Sequence, residues 1–202
     1  MLDAILAIPG MMLILGALAV PLLPPMVRNY YMLALIGFSG WSVWQIETGV
    51  HMTASLAGIE MILVRAEAIT KPFALVFHIA AALNVIYAMH EDVKITATAG
   101  LAYAGAAIAA LFAGDFLTLF VYWELTAFTS VFLVLAGNTS RSLGAAMRYL
   151  LMQVASGVIL LAGAVLLWRS GAGFAITALD ATTPAGFCVL LAFGIKAAFP
   201  FL

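Results

Sequence analysis

The stretch Asp115-Phe-Leu-Thr-Leu-Phe-Val-Tyr-Trp123-Glu124-Leu-Thr-Ala-Phe-Thr-Ser130 opens an apolar run that continues to Gly137. Asp115 directly follows Gly114 and reads as the N-cap of a helix, because its carboxylate can accept from a first-turn N–H. Glu124 stands nine residues further on, about 13 Å of helix rise. The hydrocarbon core of a bilayer is about 30 Å thick, so that depth is close to the midplane. A charged side chain there costs roughly 2.5–3.5 kcal/mol on insertion scales, and such residues usually mark ion or proton paths. Phe120 and Phe128 lie one turn to either side, so a cation or hydroxyl partner has to come from another helix. The alternative is a carboxyl group hydrogen-bonded into a helix interface with no transport role.

The surrounding composition supports the membrane reading. The 202 residues are 66% hydrophobic and 8% charged, where an ordinary soluble domain carries about 25% charged residues. Mean hydropathy is +1.18. A net charge of -1 gives no basis for nucleic-acid binding. The single cysteine, Cys188, lies in an apolar run, which rules out a disulfide framework or a thiolate metal site built within one chain. Met1-Leu2-Asp3 has an acid where a signal peptide needs a basic region, so the N-terminal run is read as a first span. The class is therefore an all-α polytopic membrane protein.

Seven apolar segments are predicted, at about 4–23, 30–48, 72–89, 95–113, 115–136, 142–168 and 184–202. Proline punctuates the first, at Pro21, Pro24 and Pro25, and Tyr30 and Tyr31 open the second as interfacial aromatics. The fourth is rich in Ala and Gly, which lets helices approach closely and places it inside the bundle. Residues 49–71 differ in kind. They carry Glu60, Arg65, Glu67 and Lys71 among short runs of β-formers, too charged to span, and read as a short surface hairpin; an amphipathic helix is the alternative. The expected division is 1–90, holding three helices and the hairpin, and 91–202, holding four. With the N-terminus outside, the inner loops hold Arg28, Lys94, Arg141 and Arg148 and the outer ones Arg65, Lys71 and Arg169. That four-to-three split is a weak positive-inside preference for N-out.

Lys196 is the second ionisable group deep in a span, within Phe193-Gly-Ile-Lys-Ala-Ala-Phe-Pro200. Pro200 lacks an N–H, so the carbonyl of Lys196 loses its helical partner and a break falls at the lysine itself. Broken backbone at membrane depth is tolerated where it is buried in protein or lines a hydrated cavity. A lysine that snorkels towards the helix end is the alternative. Two unit charges about 4 Å apart interact by roughly 4 kcal/mol at an effective dielectric of 20. Discharging one member of a Glu124–Lys196 pair would then change the proton affinity of the other about a thousandfold.

Secondary candidates are weaker. Arg148 reads as a second partner for Glu124 or as an interfacial anchor. Gln153 and Ser156 hold water along a path or make helix contacts. His78, in the third span, has a near-neutral titration range suited to a proton relay, and a hydrogen-bonded packing histidine is the better reading. Thr126, Thr129 and Ser130 could hydrate the surroundings of Glu124. Glu91, Asp92 and Lys94 read as a solvated loop cluster. No phosphate loop, dinucleotide fingerprint, His–Cys metal spacing or haem attachment motif is present.

The run Phe112-Ala-Gly-Asp115 through Trp123-Glu124-Leu-Thr resembles the fifth-helix motif of the proton-translocating antiporter-like membrane subunits. These are the large membrane-arm subunits of respiratory complex I and of membrane-bound hydrogenases, with subunits A and D of Mrp-type Na+/H+ antiporters. Tyr149-Leu-Leu-Met-Gln153-Val-Ala-Ser-Gly157 and Gly194-Ile-Lys196-Ala-Ala-Phe-Pro200 resemble the sixth and the broken seventh helix, in the same order and spacing, and Val64-Arg65-Ala-Glu67 is similar to the family's hairpin. The Gln153 segment leans towards the Mrp D or complex I M-type branch. The resemblance implies fourteen spans with two inverted five-helix repeats, Glu124 and Lys196 as the proton-exchanging pair, and no flavin, quinone or iron–sulfur site in the subunit. It also implies other membrane subunits as partners, protons and through them Na+ as the ions moved, and a bacterial cytoplasmic membrane as the setting. On that pattern 91–202 is an incomplete first repeat, and the apolar ending at Phe201-Leu202 is expected of a piece of a longer protein or a split subunit. The rival reading is a non-conducting scaffold that anchors a soluble enzyme, such as an inorganic-carbon uptake module.

Overall fold

The computed structural model describes residues 7–56, 58–91, 93–137 and 139–199, with the side chains of Leu56 and Ser140 left aside. Within them the chain forms seven α-helices and one two-stranded sheet. The first helix, α1 (Met11–Ala17), gives way to a 3-10 turn at Val20–Leu22, because Pro21 has no N–H to continue the ladder. The second, α2 (Pro25–Gln45), begins five residues before the predicted span. Pro25 is well placed to start it, with its φ already helical and its missing N–H at a position that has no helical partner. Arg28, expected in an inner loop, is instead in the first turn of α2. Its side chain is buried and donates to the Glu91 carbonyl at 3.3 Å.

Strands β1 (Gly49–Leu56) and β2 (Ile59–Ala66) pair antiparallel, from Gly49 opposite Ala66 to Leu56 opposite Ile59. The pairing slips between Val50 and Thr53, an irregularity that bends the ribbon. The sheet ends at Ala66, so Lys71 belongs to the next helix, α3 (Thr70–Tyr87). Helices α4 (Lys94–Leu111), α5 (Phe116–Leu135), α6 (Ser140–Arg169) and α7 (Pro184–Lys196) follow. Among the described residues four helices are long and apolar enough to cross a membrane, those at 70–90, 94–111, 116–135 and 141–169. The apolar helices at 11–22 and 184–196 are shorter, and α2, at 21 residues, is diluted by Arg28, Asn29, Ser39, Ser42 and Gln45. The predicted ends at residues 4–6 and 200–202 lie outside the described residues.

The small-residue helix α4 packs against α1, α3 and α5 and buries Ala99, Gly105, Ala106, Ile108 and Ala109. A Cβ at Gly105 would stand 2.6 Å from the Gly10 carbonyl oxygen, so α1 reaches α4 only because glycine is there. One apolar core joins α1–α4 with β2, through Leu13, Ile36, Val64 and Ile108. A second joins α5, α6 and α7 through Phe116, Leu160, Ala164 and Val189. The turn between α4 and α5 is where they meet. Asp115 caps α5 as expected, accepting from Thr118 N at 2.7 Å and Thr118 Oγ1 at 2.9 Å. Its other bond was not legible in the sequence: the Ile62 amide of β2 also donates to the carboxylate. Gly114 N donates to the Ile62 carbonyl and Arg65 N to the Phe112 carbonyl. A Cβ at Gly114 would overlap Ile62 Cγ2, which explains the glycine. The hairpin is thus fastened to the N-terminus of the helix that carries Glu124.

Candidate functional site

The site assembles where α5, α6 and α7 face one another. Lys196 is the last residue of α7, and the way that helix stops determines where its side chain goes. Ala198 N–H donates to the Ile195 carbonyl and Phe199 N–H to the Gly194 carbonyl, with Ala198 at φ 51. This is the paired 5→2 and 6→1 closure that ends helices at a left-handed residue. Alanine there, rather than glycine, holds a conformation disfavoured by about 1–2 kcal/mol. The helix thus ends at Lys196; Pro200, from which a break there was inferred, lies outside the described residues.

From that helix end Lys196 Nζ reaches across to α5. It donates to the Trp123 carbonyl at 3.0 Å and to Thr126 Oγ1 at 2.9 Å. It also sits 4.7 Å from the Trp123 ring centroid, where the ring's negative face attracts a cation. Thr126 can accept because its own hydroxyl proton goes to the Trp123 carbonyl at 2.7 Å. Trp123 is the residue that sequence reasoning missed. Its indole N–H donates to Ser156 Oγ at 3.1 Å, and Ser156 in turn donates to the Ala192 carbonyl at 3.0 Å. Its ring packs edge-on against Phe193 at 4.8 Å between centroids. One side chain thus ties α5 to α6 and α7 and forms the floor under the lysine.

Glu124 is the next residue along α5. Its carboxylate is against Gly157 of α6, and Oε1 is buried with no hydrogen-bond partner. Among the described residues Glu124 and Lys196 make no ion pair within 4 Å. The two ionisable groups are thus at one level of the bundle on adjoining faces of α5, without direct contact.

The secondary candidates separate. Gln153 is buried on α6 one turn before Gly157, and its Oε1 likewise lacks a partner. Ser156 belongs to the Trp123 relay. Arg148 is exposed and lies back along its own helix, its Nη1 3.8 Å from the Cβ position of Gly144, and forms no ion pair with Glu124. His78 is 5% exposed and fully bonded: Nδ1–H donates to the Ala74 carbonyl at 2.7 Å, leaving Nε2 to accept from Ser39 Oγ at 2.9 Å. It fastens α3 to α2, and neither of these two hydrogen-bond partners is on α5. Thr129 and Ser130 donate to carbonyls of their own helix, and Tyr149 of α6 donates to Ser130. Ser130 is thus a helix-interface group.

Residues 113–202 match a family model described as NADH:quinone oxidoreductase/Mrp antiporter, TM. That range contains α5, α6 and α7, and with them both Glu124 and Lys196. No curated protein is significantly similar to the chain in sequence. Among solved structures it resembles a chain of respiratory complex I from Thermus thermophilus with bound aureothin, at 18% identity and a TM-score of 0.76 over 96% of this chain and 45% of that one. It resembles a chain of the Mrp complex from Dietzia sp. DQ12-45-1b at 22% identity and a TM-score of 0.75, over 94% and 23%. A third likeness is to the membrane-bound sulfane sulfur reductase, an archaeal respiratory membrane complex, at 16% identity and a TM-score of 0.68, over 93% and 42%. The chain spans less than half the length of each, and at such identities the likeness is one of fold. The part of the chain that holds α5, α6 and α7 is thus similar to the NADH:quinone oxidoreductase/Mrp antiporter transmembrane family.

Proposed function

We propose that this chain is the proton-transferring part of a membrane subunit in a multi-subunit cation/proton antiporter or an NADH dehydrogenase-like complex, with Glu124 and Lys196 exchanging a proton through water. The observation that carries this reading is the setting of Lys196. An ammonium has three N–H donors, and two of them meet fixed acceptors, the Trp123 carbonyl and Thr126 hydroxyl. Losing the third proton leaves both of those bonds intact, with a lone pair where that proton was. The lysine can therefore titrate without leaving its place. On the adjoining face Glu124 offers a buried carboxylate oxygen with no partner, an acceptor that a proton or a water would satisfy. Because the two groups do not touch, transfer between them needs a bridging water and can be interrupted, which a coupled pump requires.

On this reading the chain works in a bilayer, in a bacterial cytoplasmic membrane, beside other membrane subunits. Protons are the ion it moves, and Na+ exchange belongs to its partners. The test is proton flux, read by a pH-sensitive dye in proteoliposomes containing the complete complex. Glu124→Gln and Lys196→Ala each abolish flux while the complex still assembles. Flux at the wild-type rate in both variants would leave the non-conducting scaffold as the function.

A further inference from the structure

We infer that Gly157 is a positioning residue for the Glu124 carboxylate: the missing side chain on α6 leaves the notch in which that carboxylate is lodged. The inference rests on the proton-transfer reading of Glu124. A Cβ built at Gly157 would overlap Glu124 Oε1 and lie 2.7 Å from its Cδ, while its next neighbour, Phe120 Cε2, is at an ordinary 3.5 Å. No backbone atom of α5 is among these three nearest atoms, so the glycine is not there to let two helices touch.

Gly163, two turns further along the same helix, makes the contrast. A Cβ there would meet the Ala185 carbonyl oxygen at 3.2 Å and the Val189 and Cys188 side chains at 2.9 and 3.2 Å. That is close packing of α6 on α7, the usual reason for small residues between membrane helices. Gly157 makes room for one functional group, and the group it admits is the one whose Oε1 is buried and unpartnered.

The notch has two consequences. It holds the carboxylate against α6, off the Trp123–Thr126 face where Lys196 is bound, and so keeps the pair out of direct contact. It also makes the geometry sensitive to one methyl group. Alanine at 157 is a better helix former than glycine, and what it displaces is the flexible end of a glutamate. The protein can fold around the substitution, while the carboxylate has to move.

The experiment compares Glu124→Gln, Gly157→Ala, Glu124→Asp and the double variant Gly157→Ala/Glu124→Asp in the complete complex. Proton flux is followed together with the infrared carbonyl band assigned to residue 124 by its loss in Glu124→Gln. Gly157→Ala is expected to assemble, to lose at least tenfold in flux and to shift the carboxyl band. Aspartate, one methylene shorter, is expected to raise flux in the Gly157→Ala background although it lowers flux alone. Wild-type flux in Gly157→Ala, or lost flux with an unshifted band, overturns the inference while a dead Glu124→Gln keeps the proton-transfer reading. If Glu124→Gln itself transports normally, that reading falls and this one with it. If Gly157→Ala does not assemble, recovery of assembly by Glu124→Asp supports the notch and its failure overturns it.

Discussion

At Lys196 two acceptors of different chemistry hold one ammonium, and they make different predictions. The Trp123 carbonyl belongs to the backbone of α5 and survives any side-chain change, whereas the Thr126 hydroxyl does not. Thr126→Val removes a bond to a charged donor, an interaction worth about 1.5–3 kcal/mol, and keeps the shape of the side chain. The expected result is a proton flux lowered about tenfold or more with assembly unchanged, measured in proteoliposomes beside Thr126→Ser, which retains the hydroxyl and transports normally. Equal flux in Thr126→Val would remove the hydroxyl from the account. Glu124 and Lys196 were legible in the sequence because an ionisable side chain deep in an apolar run has few explanations. Trp123 was not, because it acts through a carbonyl, which every residue has, and through a ring that reads as apolar filling. Gly157 was equally silent: a glycine among small residues on a membrane helix normally means close packing, and its neighbour Gly163 does mean that.

The helices follow the predicted apolar runs, with ends displaced by up to seven residues. Those displacements have local causes: the Pro21 turn that shortens α1, the Pro25 start of α2, and the left-handed Ala198 that closes α7. The hairpin was readable as β-formers too charged to cross a bilayer, but its attachment was not, because it is made by main-chain groups. Asp115 is central to that attachment. It caps α5 and also accepts the Ile62 amide from the middle of β2. Asp115→Ala removes a cap worth about 1 kcal/mol and strands an amide at a further cost of about 1–3 kcal/mol. A loss of about 2–4 kcal/mol in stability is expected, with faster hydrogen exchange at Ile62, whereas Asp115→Asn retains most of the cap and loses less. Asp115→Ala stability equal to wild type would mean that the hairpin is held by its other bonds alone.

Across the whole molecule, two apolar cores meet at the α4–α5 turn, and the proposed proton transfer lies in the second, among α5, α6 and α7. The first core contributes position: α4 braces α5, the hairpin fixes its N-terminus, and His78 closes α3 on α2. The family-model match over residues 113–202 coincides with that second unit. In the proposed mechanism Glu124 and Lys196 sense each other's charge without touching. The most direct test is an infrared titration of the residue-124 carboxyl band in the complete complex, with and without Lys196→Ala. The account predicts that the midpoint moves by about one pH unit or more, as expected when a nearby opposite charge is removed, whereas an unchanged midpoint would show that the two groups titrate independently and would contradict it.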